Sequence, residues 1–141
     1  MNYHFSIHKE KSGFWAECVE LEGCHTQADT LDELEKACLE ALNVYLEEPA
    51  SSSMAFPLPD EALEKDRKLL SIKVEPEIAL AVLLRHHRKN KKLTQKQVST
   101  MLGMKNVYSY QRLERKSNPT LKIMKSIHTV FPDMKIEYIF Q

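Results

Sequence analysis

Residues 2–8 alternate Tyr3, Phe5 and Ile7 with His4, Ser6 and His8. A period of two predicts a strand with one buried face, on which His4 and His8 are exposed polar residues. A polar stretch at 9–13 leads into the apolar run 14–19, so the two runs predict an antiparallel hairpin. A third short strand is predicted over 23–28. Thr30-Leu31-Asp32-Glu33 reads as a capping box, with Asp29, Asp32 and Glu33 placing negative charge at the positive end of a helix. Leu31, Leu34, Cys38, Ala41, Leu42 and Tyr45 then recur at steps of three and four, a stripe suited to lying on a sheet. Glu35, Glu40, Glu47 and Glu48 supply an acidic exposed face. Pro49 and Ser51 to Ser53 stop the helix. After an irregular stretch at Pro57 and Pro59, a short helix is predicted over 60–68. Alternating Leu70, Ile72 and Val74 predict a fourth strand. The order β-β-β-α-β describes a small sheet with a helix across one face.

Beyond Glu75-Pro76 the period changes. Pro76 suits the first turn of a helix, followed at helical spacing by Ile78, Ala79, Val82 and Leu83 and ending in basic Arg85, His86, His87, Arg88 and Lys89. Thr94 caps a short helix with apolar Val98, Met101 and Leu102, and Gly103 ends it. Another helix over 107–115 buries Tyr110 and Leu113. Asn118-Pro119-Thr120 opens one more, with Leu121, Met124, Ile127, His128 and Phe131 inward. Residues 134–140 alternate again and predict a terminal strand, either a dimer edge through Ile136, Tyr138 and Phe140 or a strand packed on its own bundle. The chain is therefore α+β: a β-β-β-α-β domain followed by an all-helical one with a possible terminal strand.

Composition sharpens that division. The 141 residues carry 20 Lys+Arg and 20 Asp+Glu, a net charge of zero. Residues 1–75 hold 7 basic and 16 acidic side chains, a net of −9, and residues 76–141 hold 13 and 4, a net of +9. Two oppositely charged modules with different partners are expected. With 28 % charged and 43 % hydrophobic residues the chain is neither a disordered tail nor a membrane protein, since no run reaches the roughly 18 apolar residues of a spanning helix. It has no basic-then-apolar signal segment at its start. Cys18, Cys24 and Cys38 lack metal-ligand spacing and read as free thiols in a reducing cytoplasm. Neither GxGxxG nor GxxxxGK[ST] occurs. A metal at His4 and His8 would need a third ligand such as His25, so no metal and no cofactor are expected.

The run from Phe14 to Leu34, with its aromatic strand, Leu21-Glu22-Gly23-Cys24 turn and Thr26-Gln27-Ala28-Asp29-Thr30 helix opening, resembles the N-terminal domain of HicB-type antitoxins over about residues 2–48. It departs from that family at Glu20, where proline is common, and at Ala28, where glycine is. The resemblance implies a truncated RNase H-like fold, with 1–48 as its core and an extension to about 75 through a linker and the fourth strand. RNase H chemistry needs clustered carboxylates, one of them on the first strand, and here that strand carries histidines instead. No enzymatic activity is expected.

Leu93-Thr94-Gln95, Leu102-Gly103, Arg112-Leu113-Glu114-Arg115 and Asn118-Pro119-Thr120-Leu121 resemble the Xre/Cro-like repressors, so 76–141 is read as a helix-turn-helix DNA-binding domain. The stretch from Gly103 to Glu114 is one residue longer than the usual pattern, and the turn or the start of the recognition helix must absorb it. A helix in the major groove presents its N-terminal residues to base edges. The groove-facing set is Asn106, Tyr108, Ser109 and Arg112, with Arg112 matched to guanine and Asn106 to adenine. Tyr108 reads either as a groove residue or as a packing residue. Lys105 or Asn106 starts the helix, and Lys96 and Lys116, with Lys91 and Lys92, attract phosphates. The resemblance implies a phosphate contact from Gln95 and a structural ion pair between Arg88 and Glu114.

Both modules stand in the HicB order. That resemblance implies a HicA-type toxin partner, a small basic RNase, which the acidic half masks through charge at Glu35, Glu40 and Glu47, while the basic half represses its own operon. It further implies operator double-stranded DNA as a partner, a homodimer or homotetramer, no membrane, and a bacterial cytoplasm, nucleoid-associated on the operator. Two alternatives come from other classes: a helix-turn-helix regulator whose N-domain senses a small molecule, and an RNase H-like nuclease.

Overall fold

The computed structural model describes residues 1–47 and 54–141 and divides into two compact units. Expectations for Glu48, Pro49 and Ser51 to Ser53 lie outside the described residues. No helix among those described is long and apolar enough to cross a membrane.

The first unit comprises Met1–Leu46, Pro57–Glu75 and Gln141. Its strands β1 (Asn2–Glu10), β2 (Gly13–Cys18), β3 (His25–Ala28) and β4 (Leu69–Lys73) form one antiparallel sheet in the order β3-β2-β1-β4. The β1–β2 register pairs Phe5 with Cys18 and Ile7 with Ala16, and Tyr3 pairs with Ile72 of β4. These side chains share one sheet face, against which α1 (Leu31–Leu46) lays buried Leu34, Cys38 and Leu42. The hairpin needs glycine at position 13: with φ at +140°, a Cβ there would stand 2.6 Å from the Ala28 carbonyl oxygen. At the start of α1 the Glu33 amide donates to Thr30 Oγ1 at 3.3 Å, but Leu31 points outward and takes no part in the buried stripe. The expected helix over 60–68 is a shorter 3₁₀ turn, Glu61–Lys65, capped by Asp60. Cys18, Cys24 and Cys38 are free and buried. Burial pushes their thiols up to about 12, 11 and 11 respectively, which keeps them protonated and unreactive at neutral pH.

His4 corrects the reading of β1. It is 1 % exposed although it lies on the polar face, because Glu20 folds back over it, with Oε1 2.6 Å from His4 Nδ1 and Oε2 accepting from the His4 amide at 3.0 Å. Glu64 Oε1 stands 3.5 Å from the other ring nitrogen. His8 does remain partly open, stacked on Trp15 at 4.0 Å between ring centroids. Among the described residues no group of three or more His, Cys, Asp or Glu side chains is placed to hold a metal.

The second unit comprises Glu47–Phe56 and Pro76–Phe140 and contains α2 (Pro76–Asn90), α3 (Gln95–Met101), α4 (Val107–Leu113) and α5 (Leu121–Val130). α2 is its central element, buried continuously from Ile78 to Arg85. Ile127 and Phe131 are buried at the end of α5, whereas Leu121 and His128 are exposed, contrary to the inward stripe expected of them. Met101 is likewise exposed. The terminal strand does not form. Residues Ile136–Ile139 are a 3₁₀ helix, in which the Tyr138 amide donates to Lys135 O and that of Phe140 to Glu137 O, each at 3.1 Å. All four described strands belong to the sheet of the first unit, so a strand here has no ladder to join and its backbone bonds close locally instead. The alternation is also not the burial pattern: Ile139 is buried while Phe140 is exposed.

Candidate nucleic-acid interface

The segment from α3 to α4 is built by caps. Thr94 accepts from the Gln97 amide at 3.1 Å, and Gln97 Oε1 accepts from the Thr94 amide at 2.8 Å, a reciprocal box that starts α3. Gly103, with φ at +70°, takes the left-handed turn after α3. The surplus residue between Gly103 and Glu114 is absorbed in the turn, because α4 begins only at Val107, with Asn106 as its cap. Asn106 Oδ1 accepts from the Ser109 amide at 3.0 Å and from Ser109 Oγ at 3.3 Å. Lys105 therefore stands in the turn and is exposed.

A buried polar cluster holds these helices. Glu114, just past α4, accepts from Arg88 Nε at 2.5 Å and Nη2 at 3.1 Å, from Tyr110 Oη at 2.6 Å and from Gln95 Nε2 at 2.9 Å. Burial alone would raise the Glu114 carboxyl, but the bonds from Arg88, Tyr110 and Gln95 outweigh it and hold it below the ordinary carboxylate value. Burial also opposes the charge on Arg88, and Glu114 more than restores it, so that guanidinium stays charged. Tyr110 is pushed up by burial and then by the Glu114 charge, and remains a phenol. Arg85, which the sequence assigns to the polar end of α2, is buried and donates from Nε and Nη2 to the Glu114 carbonyl at 3.1 and 3.0 Å. Its spacing of three from Arg88, on the continuation of the apolar run 78–84, is the signal that could have found it. The second acid in such a network would be costly; one carboxylate shared among donors from α2, α3 and α4 fixes how the helices meet.

Gln95 is thereby committed inward: besides its bond to Glu114, its Oε1 accepts from Gln111 Nε2 at 3.0 Å. The outward side of α4 is different. Tyr108 is 67 % exposed and so is not a packing residue, and Arg112, one turn later, is exposed beside it. Lys96 on α3 and Lys116 after α4 are exposed too, while Lys91 places Nζ 5.8 Å from the Phe131 ring centroid. Asn106 carries a constraint, since a two-bond contact to adenine would use the same oxygen that caps α4. On this surface Tyr108, Arg112 and Lys105 offer a planar ring, a two-pronged donor and a positive charge.

In the first unit Glu35 and Glu40 are exposed on α1, but at about 100° per residue they stand about 140° apart and do not share a stripe. Glu35 lines a cleft of about 650 Å³ with Asp32, Lys36 and Lys73. Glu47 follows α1 and is exposed in the second unit.

A UPF0150 protein from Archaeoglobus fulgidus is 44 % identical to this chain over 48 residues, which amount to 33 % of this chain and 70 % of that protein. No family model matches the chain.

Proposed function

Because the chain belongs to the UPF0150 protein family and joins an acidic sheet unit to a basic helical one, we propose that it is a HicB-type antitoxin. The acidic unit binds and masks a HicA-type, RNA-cleaving toxin, and the basic unit represses the operon that encodes both. The chain performs no chemistry itself and acts in the cytoplasm by stoichiometric occlusion. The observation that carries this reading is the exposed row Tyr108–Arg112 on α4, held in orientation by the Glu114 cluster within the segment 76–141, whose net charge is +9. An α-helix so presented suits the major groove, where Arg112 pairs with guanine and Tyr108 lies against bases or a thymine methyl. Lys96, Lys105 and Lys116 supply salt-sensitive attraction to phosphates. Ser109 and Asn106 serve the helix cap, and Gln95 reaches a phosphate only by giving up a bond inside the cluster.

For the acidic unit the support is electrostatic. A toxin that binds RNA presents positive charge, and the acidic half, residues 1–75 with a net charge of −9, attracts it and competes with RNA phosphates. The test is co-purification with the short basic protein encoded beside this one, followed by RNA cleavage with and without this chain. Cleavage is expected to stop near equimolar addition; unabated cleavage with excess chain overturns the reading. On a fragment of its own promoter, Arg112→Ala is expected to lose about 5- to 150-fold in affinity, the worth of one guanine contact, with masking intact. Reversing Glu35 and Glu40 is expected to weaken masking and leave DNA binding unchanged.

A further inference from the structure

Three residues well upstream of α2 are fastened to it. They belong to the second unit, which includes the chain up to Phe56. Arg85 Nη1 donates to the Met54 carbonyl at 3.5 Å, and the His86 ring donates to the Phe56 carbonyl. Asn90 Nδ2, one turn further along α2, stands 2.9 Å from His86 Nε2 and orients that ring. The Phe56 side chain is 5 % exposed, although Met54 and Ala55 before it are exposed. Two main-chain carbonyls held by consecutive residues of one helix, with a buried aromatic beside them, make this segment a docked strap.

The guanidinium that holds the strap also holds α4. Arg85 Nε and Nη2 both donate to the carbonyl of Glu114, the C-cap residue of α4. A carbonyl at the end of a helix has no partner within it. A guanidinium is planar and its donors point in fixed directions, so the edge on Glu114 sets the plane and Nη1 then meets Met54. Arg85 is 2 % exposed, and a charge buried so deeply is held only while its donors are occupied. We infer that residues 54–56 are part of the DNA-reading surface, and that Arg85 is the positioning residue through which this strap sets the pitch of α4. Arg112 lies two residues before Glu114, so a shift at that end of the helix is felt at once by the side chain that reads a base. Such a contact has to be held to within about 0.5 Å. Attraction of phosphates to Lys96, Lys105 and Lys116 makes no such demand. The strap therefore serves selectivity and leaves general affinity for DNA alone. That consequence rests on the function proposed above, whereas the effect of the strap on α4 does not.

The test uses the full chain with Arg85→Lys, Phe56→Ala and Phe56→Leu. Lysine keeps the charge and loses the fork, alanine releases the strap with Arg85 intact, and leucine keeps an apolar anchor. Affinity is measured for the promoter fragment and for an unrelated duplex at one salt concentration. Arg85→Lys and Phe56→Ala are expected to bind the promoter about 10-fold more weakly, the worth of one hydrogen bond to a charged group. The unrelated duplex is expected to bind unchanged, and Phe56→Leu to stay close to wild type. Equal losses on both duplexes overturn the inference, as does an undiminished preference for the promoter. Backbone amide exchange is followed on the same proteins without DNA. The amides of α4 are expected to exchange about 10-fold faster in Arg85→Lys and Phe56→Ala, with those of α2 and α5 at the wild-type rate. Unaltered exchange in α4, or acceleration of all the helices together, overturns the inference. Should Arg85→Lys not fold, Phe56→Ala carries both readouts. A wild type with no preference for the promoter sinks the operator reading, and exchange in α4 then decides the strap by itself.

Discussion

The interior of the first unit is apolar, with Tyr3, Phe5, Leu34 and Leu42 between one sheet face and one helix, and its backbone groups pair along strand ladders. The interior of the second unit is apolar along α2 but turns polar where α2, α3 and α4 meet, burying Glu114, Arg85, Arg88 and Tyr110 together. The first arrangement buries few polar contacts, chief among them that of Glu20 with His4. The second depends on one carboxylate, which accepts from Arg88, Tyr110 and Gln95, so removing it strands several donors at once. The difference also separates stiffness from adhesion, since a shared ion cluster contributes little net stability yet defines a single orientation for the exposed face of α4.

The two units can be followed separately. Trp15, the one tryptophan of the chain, lies on β2, and most of the helical signal comes from α2 to α5. The largest effect is expected from Glu114→Ala, which leaves Arg88 buried and unpaired and costs about 4 kcal/mol. The far-UV transition in urea is expected to shift much further than that of Trp15 fluorescence, and equal shifts would break the comparison. Leu42→Ala opens a cavity under the sheet and is expected to cost about 3 kcal/mol, moving the Trp15 transition first.

Acid sharpens the contrast by a smaller amount. His86 and His87 lie below the ordinary imidazole value, His86 through burial and His87 through burial with the nearby His86 and Lys91 charges. Their folded values are lowered, so their contribution is complete above 6.5 and is lost as pH falls through and below it; that of Glu114 is complete above 4.5 and is lost below it. The far-UV midpoint is therefore expected to decline first on acidification, in two steps. Thr94→Ala, which removes the α3 cap, is expected to cost about 1 kcal/mol in the far-UV transition alone. Arg112→Ala, on the exposed face, is expected to change stability by less than about 0.5 kcal/mol, so that under the proposed function its effect is confined to promoter affinity.

Much of the fold is legible in the chain because its signals are local. The alternation Tyr3, Phe5 and the recurrence Leu34, Cys38, Leu42 describe β1 and α1 without reference to anything distant, and Thr94 and Thr120 mark helix starts that the structure contains. The site is legible in part. Arg88 and Glu114 meet, and Tyr108 and Arg112 face outward, but Arg85 reads as a solvated cation and Gln95 as an outward one. His4 misleads for the same reason: nothing in the pattern of β1 says that Glu20, sixteen residues on, closes over it.

The sequence by itself determined the periods of the strands and helices, their caps, and the division of a neutral chain into halves of −9 and +9. Each of these depends on residues a few positions apart or on composition. The tertiary structure alone decided which polar groups are buried, because their partners lie far along the chain, 26 and 29 residues away for Arg88 and Arg85 on Glu114. It also decided that 136–139 form a 3₁₀ helix and that Leu121 and Phe140 are exposed. An alternating segment becomes a strand only where another strand offers its edge, and an apolar side chain is buried only where a neighbour covers it.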